Sequence, residues 1–342
     1  MRGESQAESL QRFGRAAGRD WNRIESWGII LRAMPRTIPV LINRSGGTAA
    51  AMGENLPSAI RDAFGRTGRE IEMELLDGHE IAEAARRHAG APLVIVGGGD
   101  GTIGSAASAL VHTSSALAVL PLGTRNHFAR QLGVPLDLAG AAQLAVNGQR
   151  RRIDIGAAGD RIFINNASFG IYTRFVRLRD RRHLPKWLGT IPAIWHVLRR
   201  MRAQRFALMI DGERCEAVTP LLFVGNNEYS ISLGHLGERD SLDDGRLSLC
   251  AVAAQGALDL LAFAARALLG LAVPERDFQE FADAKCVIID GEGHIEGAFD
   301  GELALMRLPL RLRSMPAALG VVTPRETAPD GGPVLASESR IP

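Results

Sequence analysis

Apolar and polar positions divide the chain into two stretches with different periods. Before residue 150, short apolar runs alternate with longer segments whose apolar residues recur at helical spacing. Ile38–Asn43 predicts a first strand, Ala49–Thr67 a helix, and Ile71–Leu75 a strand that alternates apolar with acidic residues. His79–Ala89 reads as a charged helix and Leu93–Val96 as a short buried strand. A helix is expected after Thr102, and Ala116–Leu120 is the next strand. This β-α-β-α-β order argues for a parallel sheet with helices on its faces. After Asn147-Gly148 the pattern shortens. Arg152–Gly156, Arg161–Asn165, Phe206–Ile210, Pro220–Val224, Leu247–Val252, Cys286–Ile289, Gly293–Gly297 and Leu308–Arg313 are strand-like runs between turn residues, which predicts a largely antiparallel second domain.

A length of 342 residues suits about two domains with sizeable cores. The apolar share of 46% and charged share of 23% are those of an ordinary soluble protein. The longest apolar run, Ala257–Val273, is broken by Asp259 and Arg266 and is too short to span a bilayer. The three cysteines, Cys215, Cys250 and Cys286, are far apart and fit no metal spacing, so they read as small core residues in a reducing, cytoplasmic setting.

A net charge of +2 says little, so local charge carries the argument. Residues 1–36 hold seven arginines against four acids and read as a basic extension. Residues 324–342 are polar and Pro/Gly-rich and read as a disordered tail. Between Arg174 and Arg205 lie ten basic residues with Asp180 as the only acid, and Trp187 and Trp195 sit among them. Basic clusters flanking tryptophans favour an anionic membrane surface over nucleic acid, for which no binding module is present.

The candidate chemistry centres on Leu93–Gly104, which reads L-V-I-V-G-G-G-D-G-T-I-G. A strand, a glycine turn at Gly97–Gly99 and a helix N-terminus converge backbone N–H groups and the positive end of a helix dipole on one place, an anion site. Asp100 inside that cradle points to a phosphate ligand carrying a cation, or to a carboxylate engaged in proton transfer. A second glycine turn, Arg44-Ser-Gly-Gly-Thr48, follows the first strand, and no G-x-x-x-x-G-K-[ST] occurs.

Gly-Gly-Gly-Asp-Gly-Thr at 97–102, followed by Pro-x-Gly-Thr-x-Asn-x-Phe-Ala-Arg at 121–130, resembles the diacylglycerol kinase catalytic domain. Asn43-Arg-Ser-Gly-Gly47 is similar to that family's opening Asn-Pro-x-Ser-Gly, with Arg44 in place of proline. His127 stands where many members carry Asp. The resemblance covers about residues 37–323. It implies an α/β, Rossmann-like nucleotide-binding domain over 37–150, a β-sandwich over 151–323, and a cleft between them.

It further implies a lipid kinase using ATP and Mg2+, peripheral on the inner face of the membrane, with a membrane lipid as substrate; a homodimer is left open. The nucleotide-binding residues it implies are Asn43, Ser45, Gly46, Gly47 and Thr48, then Gly97, Gly98, Gly99, Gly101 and Thr102, then Gly123, Thr124 and Asn126. Asp100 is implied as catalytic and metal-binding. Asp243 and Asp244, in Asp-Asp-Gly-x-Leu, resemble the family's structural magnesium motif, although their residue types alone read as a hairpin turn. Asp300 and Glu302, two apart around Gly301, are expected to converge with Asp100, and Glu302 is the preferred proton acceptor with Asp300 and Asp100 as rivals. An NAD kinase-like enzyme and a non-catalytic lipid- or nucleotide-binding regulator are the competing readings.

Overall fold

The computed structural model describes residues 37–170, 173, 203–230, 238–239, 241–253, 259 and 278–325. The basic extension 1–36, nearly all of the Arg174–Arg205 run and most of the expected tail lie outside the described residues.

The first stretch follows the alternating pattern. Strands β1 (Thr37–Asn43), β2 (Glu70–Leu76), β3 (Leu93–Gly98) and β4 (Ala116–Pro121) form a parallel set in the order β2-β1-β3-β4. Strands β3 and β4 are buried at every position, as their unbroken apolar runs require in a sheet covered on both faces. The helices are α1 (Gly47–Met52), α2 (Leu56–Gly65), α3 (Ile81–Arg87), α4 (Asp100–Leu110), α5 (His127–Gln131) and α6 (Leu138–Asn147). The apolar stripe of α2, Leu56, Ile60, Ala63 and Phe64, is buried at helical spacing. Asp137 caps α6 by accepting the Gly140 N–H at 2.7 Å.

Two expectations are corrected. The single helix over 49–67 is two, because Gly53, at φ +53°, ends α1 and a 3-10 turn over Gly53–Asn55 precedes α2, which carries Pro57 in its first turn. Gly97 and Gly98 continue β3 rather than stopping it, paired with Leu120 and Pro121 of β4. A Cβ at Gly97 would stand 2.5 Å from Ile42 Cδ1, and one at Gly98 would stand 2.5 Å from Thr102 Cβ. These glycines make room for side chains. The turn comes only at Gly99, and α4 starts at Asp100.

The remaining strands are β5 (Gln149–Ala158), β6 (Arg161–Phe163), β7 (Asn166–Gly170), β8 (Gln204–Ile210), β9 (Glu213–Thr219), β10 (Leu221–Asn226), β11 (Tyr229–Ser230), β12 (Glu238–Arg239), β13 (Leu247–Val252), β14 (Phe278–Ala284), β15 (Cys286–Asp290), β16 (His294–Phe299), β17 (Glu302–Arg307) and β18 (Leu310–Thr323). One sheet, β14-β13-β10-β7-β16-β17, is antiparallel throughout. Its partner is an extension of the first sheet, which runs β2-β1-β3-β4-β18-β15-β8-β9, with β5 and β6 attached through β18. Phe163, Phe169, Phe206, Leu222, Leu249, Val287, Phe299 and Leu312 fill the space between the two sheets, a β-sandwich core. Strand β18 joins the regions. Leu310–Arg313 pair antiparallel with β15, while Gly320 and Val321 pair parallel with β4.

Candidate active site

At the carboxyl edge of β1, β3 and β4, where open α/β sheets place ligands, three turns meet. They enclose a cleft lined by Asn43, Gly46, Gly47, Gly78, Gly99, Gly101, Thr102, Ser105, Gly123, Thr124 and Glu302. Glycine makes the meeting sterically feasible. A Cβ on Gly123 would lie 2.3 Å from Gly99 Cα, and one on Gly47, which has φ +54°, would lie 2.8 Å from Gly123 Cα. Helix α4 begins at this edge. Its first intrahelical bond runs from Ile103 N to Gly99 O, so the amides of Asp100, Gly101 and Thr102 precede the ladder and are orphan donors.

Several expected nucleotide contacts serve to hold the turns instead. Thr48 N and Ala49 N both donate to Leu122 O, at 2.9 and 3.3 Å, and Thr48 Oγ1 donates to Gly123 O. Ser45 N donates to Asn43 Oδ1, and Ser45 Oγ to Asp77 Oδ1. Asn43 Nδ2 reaches Thr102 Oγ1 at 2.8 Å, tying the first glycine turn to α4. Asn126, in the left-handed region at φ +53°, accepts from Gly123 N and donates to the Pro121 and Gly123 carbonyls, closing its own turn. Of the expected binding residues, Asn43, Gly46, Gly47, Gly99, Gly101, Thr102, Gly123 and Thr124 line the cleft. Ser45, Thr48, Gly97, Gly98 and Asn126 are not among its lining and support it.

The three carboxylates expected to converge are divided among three tasks. Asp100 does not line the cleft. Its carboxylate accepts from His127 N at 3.2 Å and Phe128 N at 3.0 Å, capping α5 and fastening the Gly-Gly-Asp-Gly-Thr turn to the Gly-Thr-x-Asn turn. Asp300 and Gly301, at φ +48° and +85°, are the two loop residues of the β16–β17 hairpin, whose flanking pair is Phe299 and Glu302. Two left-handed residues make a type I′ turn, for which Asp-Gly is a preferred pair. The Asp300 carboxylate accepts from Ile164, Asn165 and Asn166 N at 2.7, 2.8 and 3.1 Å. Burial pushes this carboxyl up from the usual carboxylate range, against those three amides. Of the three, Glu302 lines the cleft: its Oε1 is 3.1 Å from the position of a Cβ on Gly101.

At the expected structural magnesium motif, Arg151 Nη2 sits 2.8 Å from both Asp243 oxygens, and Ser241 Oγ donates to Oδ1. The guanidinium holds the Asp243 carboxyl below the usual range. Asp244 Oδ2 accepts the Glu228 amide at 3.3 Å. The Arg151 guanidinium already sits on both Asp243 oxygens, so a metal ion at this corner would have to share or displace it. Among the described residues, no three His, Cys, Asp or Glu side chains are grouped to hold a metal ion, and no helix is long and apolar enough to cross a membrane. Of the basic run, Arg205 is described and pairs with Glu216 at 3.2 Å.

Sequence reasoning missed Gly78, Ser105 and Asp77. Gly78 lies two residues past β2, and its place near the carboxyl edge of a predicted strand was the available signal. Asp77 draws Arg44 into a two-point ion pair at 3.0 and 3.1 Å, so Arg44 is held by the β2 turn.

Residues 37–158 match the diacylglycerol kinase catalytic domain, and residues 167–323 match the YegS C-terminal NAD kinase beta sandwich-like domain. A protein of Chromohalobacter salexigens named "Probable lipid kinase YegS-like" is 30% identical over 284 residues, which cover 79% of this chain and 90% of that protein. Proteins of the same name from Klebsiella pneumoniae and Enterobacter are 43% and 39% identical, but there the match spans 40% and 42% of the relatives' length and 36% and 37% of this chain. A solved diacylglycerol kinase structure from Bacillus anthracis shares the fold, with a TM-score of 0.61, 20% identity, and coverage of 85% of this chain and 97% of that one.

Proposed function

We propose, from the premise that the chain belongs to the YegS-like lipid kinases of the diacylglycerol kinase catalytic-domain family, that it transfers the γ-phosphoryl group of ATP to a hydroxyl of a membrane lipid. The observation that carries this reading is Glu302. It is the one carboxylate among the described cleft residues, and it is brought by the sandwich to within 3.1 Å of a Gly101 Cβ position beside the orphan amides of α4.

Phosphoryl transfer asks a protein mainly for alignment, charge neutralisation and a proton acceptor. The Asp100, Gly101 and Thr102 amides and the α4 dipole suit phosphate oxygens. Glu302 accepts the proton of the lipid hydroxyl as its oxygen bonds to the γ-phosphorus and the bond to the β–γ bridging oxygen breaks, leaving ADP. Asp300, its oxygens carrying three amides, holds the hairpin that presents Glu302. For magnesium the carboxylates at hand are Glu302 and Asp100, which has four lone-pair sites and two N–H partners. One or two carboxylates plus substrate phosphates are what that ion ordinarily takes, and when bound it supplies charge neutralisation. Docking on an anionic membrane through the Arg174–Arg205 run, at the cytoplasmic face, belongs to the same proposal.

The test is transfer of labelled phosphate from ATP across diacylglycerol, sphingoid bases, ceramide and phosphatidylglycerol, with NAD in parallel. Labelled lipid is the expected product. Labelled NADP in its place would establish the NAD kinase-like reading, and no labelled product of either kind would favour a non-catalytic regulator.

A further inference from the structure

The described lining of the cleft contains neither lysine nor arginine. Arg44 and Arg125 each stand one residue from a lining residue, and Arg44 is held by Asp77. One guanidinium touches a cleft residue from the sandwich side: Arg161, the first residue of β6, donates from Nη2 to Glu302 Oε2 at 2.9 Å. It is seated on more than its ion pair. Its guanidinium carbon lies 5.4 Å from the centroid of the Phe299 ring. Phe299 is 2% exposed and fixed edge-on against Phe169 at 5.9 Å and tilted against Phe163 at 6.4 Å. Strand β6 pairs with β5, so the arginine springs from one sheet of the sandwich and the glutamate from the other.

A planar cation lying over a buried ring holds its donors in a preferred direction, and a flexible Glu side chain bonded to it loses rotamer freedom. The bond uses Oε2 and leaves Oε1 as the oxygen facing Gly101. We infer that Arg161 is a positioning residue for phosphoryl transfer: seated on Phe299, it holds one oxygen of Glu302 so that the other faces the phosphate turn and takes the proton of the acceptor hydroxyl. This deepens the lipid kinase reading and rests on it. Exposed ion pairs contribute little to stability, so the pair's consequence lies in geometry rather than in holding the fold.

The experiment is a double-mutant cycle on the full chain with Arg161→Met, Glu302→Gln and the double variant, plus Arg161→Lys, with kcat, the KM for ATP and thermal unfolding measured for each. Arg161→Met is expected to lower kcat by about 10- to 100-fold with the KM for ATP unchanged, the cost of a reacting group displaced by about an ångström. Arg161→Lys keeps the charge without the planar fork and recovers part of the loss. The double variant is expected to be no slower than Glu302→Gln alone, because Arg161 acts only through Glu302. Additive losses, a loss confined to the KM for ATP, or a wild-type kcat in Arg161→Met would each overturn the inference. Should Arg161→Met melt early, Arg161→Gln carries the same cycle. A wild-type protein that labels no lipid overturns the kinase reading and this inference with it, whereas a wild type that labels lipid while the cycle is additive overturns the inference alone.

Discussion

Gly123→Ala tests whether the three turns of the cleft form one packed unit. Added to the present backbone, the methyl carbon would lie 2.3 Å from Gly99 Cα, 3.0 Å from Gly99 N and 2.7 Å from Asn126 Oδ1. Carbon atoms rest at about 3.5–4.0 Å, so the Gly99 and Gly123 turns must part by about 1–1.5 Å. Two of the three obstructions are backbone, and no side-chain rotation relieves them. Overpacking of this kind costs about 1–3 kcal/mol, and at about 2–4 °C per kcal/mol the Tm falls by about 2–12 °C. The shift spreads, because Leu122 O receives the Thr48 and Ala49 amides and carries the first glycine turn with it. Phosphoryl transfer is expected to fall about 100-fold, as it does when reacting groups are misplaced by about an ångström. Gly46→Ala is the control: its Cβ meets only Asn43 Nδ2 at 3.7 Å, and its Tm should match wild type. Scanning fluorimetry and labelled-phosphate transfer on the same preparations read both effects. A Gly123→Ala protein with wild-type Tm and turnover would refute the claim that these turns are in backbone contact.

Asp100→Ala should lower stability by about 0.5–2 kcal/mol in thermal unfolding, since it removes both acceptors from the start of α5. Asp300→Asn reports on a buried carboxyl whose folded-state pKa is raised. Such a group binds its proton more tightly in the folded state, so its contribution declines as pH rises from the ordinary carboxylate range through the raised value. The Tm of wild type relative to the variant should therefore fall with rising pH over that window; a Tm difference that widens in favour of wild type contradicts the assignment. Neutralising Arg199, Arg200 and Arg202 together should weaken co-sedimentation with anionic vesicles by at most about 3 kcal/mol, about 1 per charge. Raised salt should mimic the triple variant; binding indifferent to both would make the run an ordinary solvated face.

Local signals were the most legible. The apolar runs of β3 and β4 and the glycine turns after β1 and β3 are readable locally, because burial and close backbone approach act on consecutive residues. What escaped depends on partners distant in sequence. Gly97 and Gly98 read as a turn until Ile42 and Thr102 are seen to occupy their side-chain space. Asp100 reads only as a ligand, yet its carboxylate also ties amides 27 and 28 residues away. Asp300 and Glu302 look equivalent two apart, and only the positive φ of the turn sends one to the 164–166 amides and the other to the cleft. Arg161 has no local signal at all, being one arginine after a Gly-Asp turn.

Strand β18 has a consequence for how the chain acquires its fold. Its pairing of Gly320 with Ala116 and Val321 with Leu117 joins residues about two hundred positions apart, and contacts of that separation come late because so much chain must be restrained before they form. Until residues 319–323 have been synthesised, β4 has an unpaired edge made of buried-type residues, the sort of surface on which nascent chains associate. The glycine cleft stands on that same β3–β4 pair. A fragment stopping near residue 150 would therefore carry every glycine turn of the cleft and still lack the strand that closes its sheet. On the proposed function, competence to bind nucleotide is expected to arrive together with completion of the sandwich, and ribosome-bound chains exposed to a nucleotide probe should gain it in one step as 310–323 emerges rather than after residue 150.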